Sequence, residues 1–111
     1  MSEDGLLTLS VTTDASGHVV IAVQGEIDLS TAVILQRAIV QTIESADCGT
    51  VIVDLGAVSF IDSSGLKALL IGRRDLAQHD IGLVVRNPQP QARRLFEVAL
   101  GTDQFEEVPS A

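Results

Sequence analysis

The sequence predicts one α/β domain, a mixed β-sheet with crossover helices packed on it, and three observations carry that prediction. Short β-branched runs have the length and apolar density of buried strands. Apolar stripes at helical spacing fall between them, and the chain opens on two strand-like segments joined by a turn cluster. The expected order is β-β-α-β-α-β-α-β, and at 111 residues the chain fits a single domain, 1–111, with an ordered core from about 6 to 108. A hydrophobic fraction of 46% supplies enough Val, Ile and Leu to bury a core without metals or disulfides.

Leu6 to Thr13 alternates apolar and polar residues, Asp14-Ala15-Ser16-Gly17 is a turn cluster, and His18 to Gln24 reads as a second strand, so an antiparallel hairpin is expected. Gly25 to Thr31 brings small and capping residues before a stripe of Ile34, Leu35, Ala38, Ile39, Thr42 and Ile43, which predicts a first helix from about Ser30 to Ser45. Thr50 to Leu55 is too short and too apolar for anything but a buried strand with a parallel neighbour. A loop is expected over Gly56 to Ile61. Beyond it Leu66, Leu69, Leu70, Leu76 and Ala77 recur on one face of a helix ending near Gln78. Gly72 inside that helix costs about 1 kcal/mol relative to Ala, which close packing against the sheet would explain. Ile81 to Arg86 reads as another buried strand. Asn87-Pro88 has the form of an N-cap with Pro at the first helical position, and Ala92, Leu95, Phe96 and Ala99 form the buried stripe of a third helix stopped at Gly101. Gln104 to Val108 is read as a short last strand, and only the first five and last three residues as loose.

The net charge of −8 opposes binding to nucleic acid or to anionic lipid surfaces. It is unevenly spread: up to Leu66 nine acids face Arg37 alone, whereas from Lys67 onward six bases balance six acids. An acidic half fits a partner surface carrying Arg or Lys, and equally a solvated face with no partner. Cys48 has no second thiol and no metal-ligand spacing, and reads as a small, partly buried hydrophobe. Met1-Ser2-Glu3-Asp4-Gly5 is acidic where a signal peptide needs positive charge, and no apolar run approaches the ~20 residues that span a bilayer, so a cytoplasmic protein is expected. No heptad or long exposed apolar helix demands self-association, and a monomer or weak dimer is expected.

The most informative stretch is Val58-Ser59-Phe60-Ile61-Asp62-Ser63-Ser64-Gly65-Leu66, where compact polar residues deliver the chain into a helix. Asp62 has the place of an N-cap that accepts hydrogen bonds from the amides of Ser64 or Gly65, a reading that needs no function. A second reading adds a switch. A phosphoryl group on Ser63 would face the positive end of the helix dipole, a local gain of about 0.3 to 1 kcal/mol, so modification would leave the fold standing. It would also add roughly −1.5 to −2 charges beside Asp28 and Asp62, and a partner that accepts the serine hydroxyl in a tight contact would be rejected.

Gly25-Glu26-Ile27-Asp28 before the first helix, Val53-Asp54-Leu55 with the Val58 to Leu66 stretch, and Arg94-Leu95-Phe96 in the last helix resemble the STAS domain of bacterial anti-sigma factor antagonists, in order and over nearly the whole chain. Phe-Ile-Asp-Ser-Ser-Gly-Leu after a buried strand is the most specific part of the match. The resemblance implies that Ser63 is phosphorylated by an anti-sigma factor that is a serine kinase. It implies that the unphosphorylated protein binds this anti-sigma factor and frees a sigma factor, and that a metal-dependent phosphatase of the PP2C type restores the serine. It further implies a docking surface at Asp28, Ser30, Thr31, Asp62, Ser64 and Gly65. Ile27 and Ile61 depart from the family pattern only by residues of similar size, while Lys67 puts a charge where small or apolar residues are common.

Other functions are less well supported by the residues. Ser63 lacks the Gly-x-Ser-x-Gly context of a nucleophile, and neither His18 nor His79 has the surroundings of a partnered base. Asp28, Asp54 and Asp62 gathered at strand ends would mimic the magnesium pocket of a response-regulator receiver, but the single lysine, Lys67, belongs to a helix. No Gly-x-x-x-x-Gly-Lys loop occurs, and the pairs Arg73-Arg74 and Arg93-Arg94 point to different sides of their helices, as surface ion pairs do. No catalytic residue, cofactor or metal ligand is assigned. The alternative within the same fold is a non-switching scaffold or regulatory subunit of a transport or stress-signalling complex.

Overall fold

The computed structural model of the chain describes residues 7–44 and 49–101. Strands β1 (Thr8–Thr13) and β2 (Val19–Ile27) form the expected hairpin, closed by Asp14, whose carboxylate accepts the amides of Ser16 at 2.9 Å and His18 at 3.0 Å. Helix α1 (Ala32–Gln41), strand β3 (Thr50–Ile61), helix α2 (Ser63–Ala77), strand β4 (Gly82–Arg86) and helix α3 (Pro90–Leu100) follow. Among the described residues the sheet has four strands in the order β1-β2-β3-β4, with β1 antiparallel to β2 and the other pairs parallel. This is the α/β class and element order expected up to the third helix. Cys48, the last expected strand over Gln104 to Val108 and the loose ends lie outside the described residues.

Parallel strands need crossovers, and the helices supply them while burying one face of the sheet. Val19, Ile21, Val23 and Ile27 of β2, Val51, Val53, Leu55, Val58 and Ile61 of β3, and Leu83 and Val85 of β4 form one core with Leu35 and Ile39 of α1, Leu66, Leu69 and Leu76 of α2, and Phe96 of α3. A small second cluster, Val20, Ile52 and Val84, joins the middle of the three strands on the opposite face.

The structure corrects the expected loop over Gly56 to Ile61, because β3 runs on without a break to Ile61. Two register shifts against β2, between Ala22 and Gln24 and between Gly25 and Glu26, each place an extra β3 residue opposite its partner. The inward residues then fall at Leu55, Val58 and Ile61, with outward pairs between them. Bulges of this kind erase the period of two by which a strand is recognised. Gly25, at φ 122°, supplies a conformation that L side chains rarely adopt at the second shift.

Other boundaries move for local reasons. α1 starts at Ala32 and gives way to a 3-10 turn over Thr42–Glu44, where the Thr42 hydroxyl donates to the carbonyl of Ile39 at 2.6 Å. The third helix begins at Pro90 with Gln89 as its N-cap, and Asn87 instead turns the chain at φ 58°. A residue before proline is pushed out of the helical region, so Gln89 before Pro90 is extended and cannot belong to the helix. Ala92 and Phe96 are its buried residues and Leu95 is partly buried, while Ala99 is exposed. Gly72 does pack closely, but against α1: a Cβ there would lie 2.8 Å from Ile39 Cγ2.

Candidate functional site

The parallel strands β2 and β3 end level with each other on the same two residues, Ile27-Asp28 and Ile61-Asp62, with Ile27 opposite Ile61. The amide of Asp62 donates to the carbonyl of Ile27 at 3.0 Å, which sets the two turns side by side. In each turn the aspartate accepts the amides two and three residues on. Asp62 Oδ1 receives Ser64 at 2.8 Å and Gly65 at 3.2 Å, as an N-cap should, and Asp28 Oδ1 receives Ser30 at 3.0 Å and Thr31 at 3.2 Å. At Asp62 these are amides that the start of α2 leaves without partners, whereas at Asp28 they belong to the turn that precedes α1.

The second turn starts α2 directly, and Ser63 is its first residue. Ser63 is exposed, and among the described residues its hydroxyl makes no hydrogen bond. Ser64 is half-buried behind it. Gly65 is buried, because a Cβ there would lie 2.6 Å from both Ile27 Cγ2 and Ile61 Cγ1. Glycine is what lets α2 start against the two strand ends.

In the first turn Ser30 is exposed and its hydroxyl donates to Asp28 Oδ1 at 2.8 Å. Thr31 is buried; its hydroxyl donates to the carbonyl of Glu26 at 2.9 Å and accepts the amide of Asp28 at 2.9 Å. Thr31 therefore shapes this surface from within. The Ser30 hydroxyl, chief among the donors on Asp28, holds its carboxyl below the ordinary value of 3.8 against the opposing pull of desolvation, so Asp28 is ionised at neutral pH. A folded-state value below the unfolded one contributes stability above the ordinary value that is lost as pH falls through the lowered one. Ser30→Ala is expected to move the Asp28 carboxyl titration, followed by NMR, upward toward 3.8; an unchanged midpoint would show that the hydroxyl is not the cause.

Ile-Asp-x-Ser occurs at both strand ends, a repeat too short to stand out in the sequence before the strands are aligned. It makes Leu29 the counterpart of Ser63, and Leu29 is 81% exposed. A search for the strand-end dipeptide would have found it.

Asp54 does not join Asp28 and Asp62. It lies back along β3, where Oδ2 accepts Arg86 Nε and Asn87 Nδ2, each at 3.3 Å, and Oδ1 accepts the amide of Gly56 at 2.8 Å. Among the described residues no group of three or more His, Cys, Asp or Glu side chains is placed to hold a metal ion. His18 immediately precedes β2, with Nδ1 3.5 Å from Asp14 Oδ2, and His79 follows the end of α2, so both lie at the opposite ends of these elements from Ser63. Among the described residues no helix is long and apolar enough to cross a membrane.

The sheet order, the crossover helices and the capped serine define a family. The STAS domain model matches residues 10–107, and the chain belongs to the STAS domain family of anti-sigma factor antagonists. Among its relatives, the anti-sigma-F factor antagonist RsfB of Mycobacterium tuberculosis is 39% identical over 88 residues, which span 78% of this chain and 70% of RsfB. An anti-sigma factor antagonist from Mycobacterium paratuberculosis superposes with a TM-score of 0.76 at 29% identity, over 99% of this chain and 92% of that one. The anti-sigma factor antagonist SpoIIAA in its unphosphorylated form superposes with a TM-score of 0.70 at 26% identity, over 83% and 80% of the two chains. The Bacillus cell fate determinant SpoIIAA has also been solved in the phosphorylated form, with a TM-score of 0.64 at 27% identity over 85% of this chain and 86% of that one.

Proposed function

We propose that this protein is an anti-sigma factor antagonist that docks, when unphosphorylated, onto an anti-sigma factor with serine kinase activity, so that a sigma factor is released. Phosphorylation of Ser63 ends the docking. The observation that carries this reading is the exposed Ser63 hydroxyl at the first position of α2, with no hydrogen-bond partner among the described residues. In the transfer, Ser63 Oγ attacks the terminal phosphorus of a nucleoside triphosphate held by the kinase, the bond to the diphosphate leaving oxygen breaks, and the hydroxyl proton passes to a base of the kinase. A PP2C-type phosphatase reverses the state by hydrolysis, returning the hydroxyl and inorganic phosphate.

The docking face comprises Asp28, Ser30, Asp62, Ser63 and Ser64, with Thr31 and Gly65 holding it from within and Leu29 exposed in the first of the two turns. Asp62 already occupies the amides of Ser64 and Gly65, so an added phosphate is not drawn inward to replace a missing cap. Its charge stays at the surface, where it repels a partner shaped for a neutral hydroxyl. That relatives of this chain are antagonists, one of them known in both phosphorylation states, supports the reading.

Binding to the anti-sigma factor tests it. Ser63→Asp is expected to weaken binding at least about tenfold while Ser63→Ala retains it, and phosphopeptide mass spectrometry after incubation with the kinase is expected to place the added group on Ser63. Equal recovery of the partner by both variants would sink the switch and favour a constitutive scaffold.

A further inference from the structure

Past Asp54, β4 no longer pairs with β3, and among the described residues the outer edge of β3 continues toward Ser63 without a neighbouring strand. The chain leaving β4 supplies side chains there instead. Arg86 and Asn87 donate to Asp54, and Gln89 Nε2 donates to the carbonyl of Gly56 at 2.8 Å. At the last β3 residue, Gln91 makes two bonds: its Oε1 accepts the amide of Ile61 at 2.9 Å and its Nε2 donates to the carbonyl of Ile61 at 2.8 Å. A primary amide offers a donor and an acceptor in one plane, as a neighbouring strand would.

Successive residues of a strand direct their backbone groups to opposite sides. Ile61 is held from outside by Gln91, and the next residue, Asp62, is held from inside by the carbonyl of Ile27. Ser63 follows immediately. We propose that Gln91 is a positioning residue for Ser63: by clamping the last residue of β3 to α3 through both its amide and its carbonyl, it fixes the place from which the hydroxyl is offered to the phosphoryl donor. The inference rests on Ser63 being the phosphorylated residue. Gln91 touches neither the hydroxyl nor the donor, so its effect is on geometry, and α3 becomes part of the switch.

The test compares Gln91→Ala with Gln89→Ala in the full chain. Gln89→Ala removes a bond of the same kind that lies farther from the serine, at Gly56. Amide hydrogen exchange on the protein alone reads the clamp, and phosphorylation by the anti-sigma kinase reads its consequence. Gln91→Ala is expected to speed exchange at Ile61, Ser64 and Gly65 by about tenfold, with Ile21 and Val53 unchanged, and to lower kcat with KM nearly constant. Gln89→Ala should leave both readouts near the unmodified protein. Unchanged exchange and kcat in Gln91→Ala, or the same losses in Gln89→Ala, would overturn the proposal. If the unmodified protein takes no phosphoryl group while Gln91→Ala still loosens Ile61, the assignment of Ser63 as phosphosite is what fails, and the positioning role for phosphorylation falls with it.

Discussion

Phe96→Ala is expected to destabilise the fold by about 3–5 kcal/mol, the range for removing a fully buried phenyl ring. Phe96 is 0% exposed and is the largest of the fully buried side chains among the described residues. With Ala92 it is one of the two buried residues of α3, so it is the main apolar attachment of that helix to the core. The space it leaves is bounded by strands whose positions the sheet fixes, and partial collapse cannot refill it. Against a total stability of about 5–15 kcal/mol for a domain, this is a loss that urea unfolding followed by far-UV circular dichroism will register as a much lower midpoint. A change under about 1 kcal/mol would mean that α3 does not depend on the ring. Because α3 also carries Gln91, the same variant should loosen the end of β3 before the whole fold gives way.

Gly65→Val acts by the opposite physics. Even a single methyl at this position would lie 2.6 Å from Ile27 Cγ2 and from Ile61 Cγ1, both on fully buried residues that have no space into which to swing. The helix must then lift off the strand ends, at a cost of about 3 kcal/mol, the upper part of the overpacking range. Lifting α2 moves Ser63 and pulls the amides of Ser64 and Gly65 away from Asp62. Loss of anti-sigma factor binding is therefore expected even where the variant is still folded. Crystallography or NMR showing Ser63 undisplaced, with an unchanged unfolding midpoint, would contradict the close fit described for Gly65.

Local chemistry was sufficient for much of this protein. The turn at Asp14 to Gly17, the cap at Asp62 and the stop at Gly101 depend on residues within a few positions of one another, so short-range hydrogen bonds and backbone preferences specify them. The apolar runs at Thr50 to Leu55 and Ile81 to Arg86 likewise admit little but buried strands. The position of Ser63 as the first helical residue after an aspartate is a property of the same kind and was legible from residues alone, while the resemblance to the STAS domain is what singled it out as a switch.

Other features depended on which segments meet. β3 continues past Leu55 because β2 accepts it through two register shifts, and where the extra β3 residues fall depends on a partner that no window of β3 contains. Gly72 faces Ile39 instead of the sheet because α1 and α2 lie against each other, and Asp54 is separated from Asp28 and Asp62 because β3 runs on past it to Ile61. Gln91 lies thirty residues from Ile61, and an amide side chain at the start of a helix carries no local sign that a strand edge will need it. The sequence by itself determined the order of the elements up to the third helix, the cap at Asp62 and the serine at a helix start, because those follow from neighbours along the chain. Only the tertiary structure decided how that serine is held, because its supports come from β2 and α3 and exist only once distant segments are brought together.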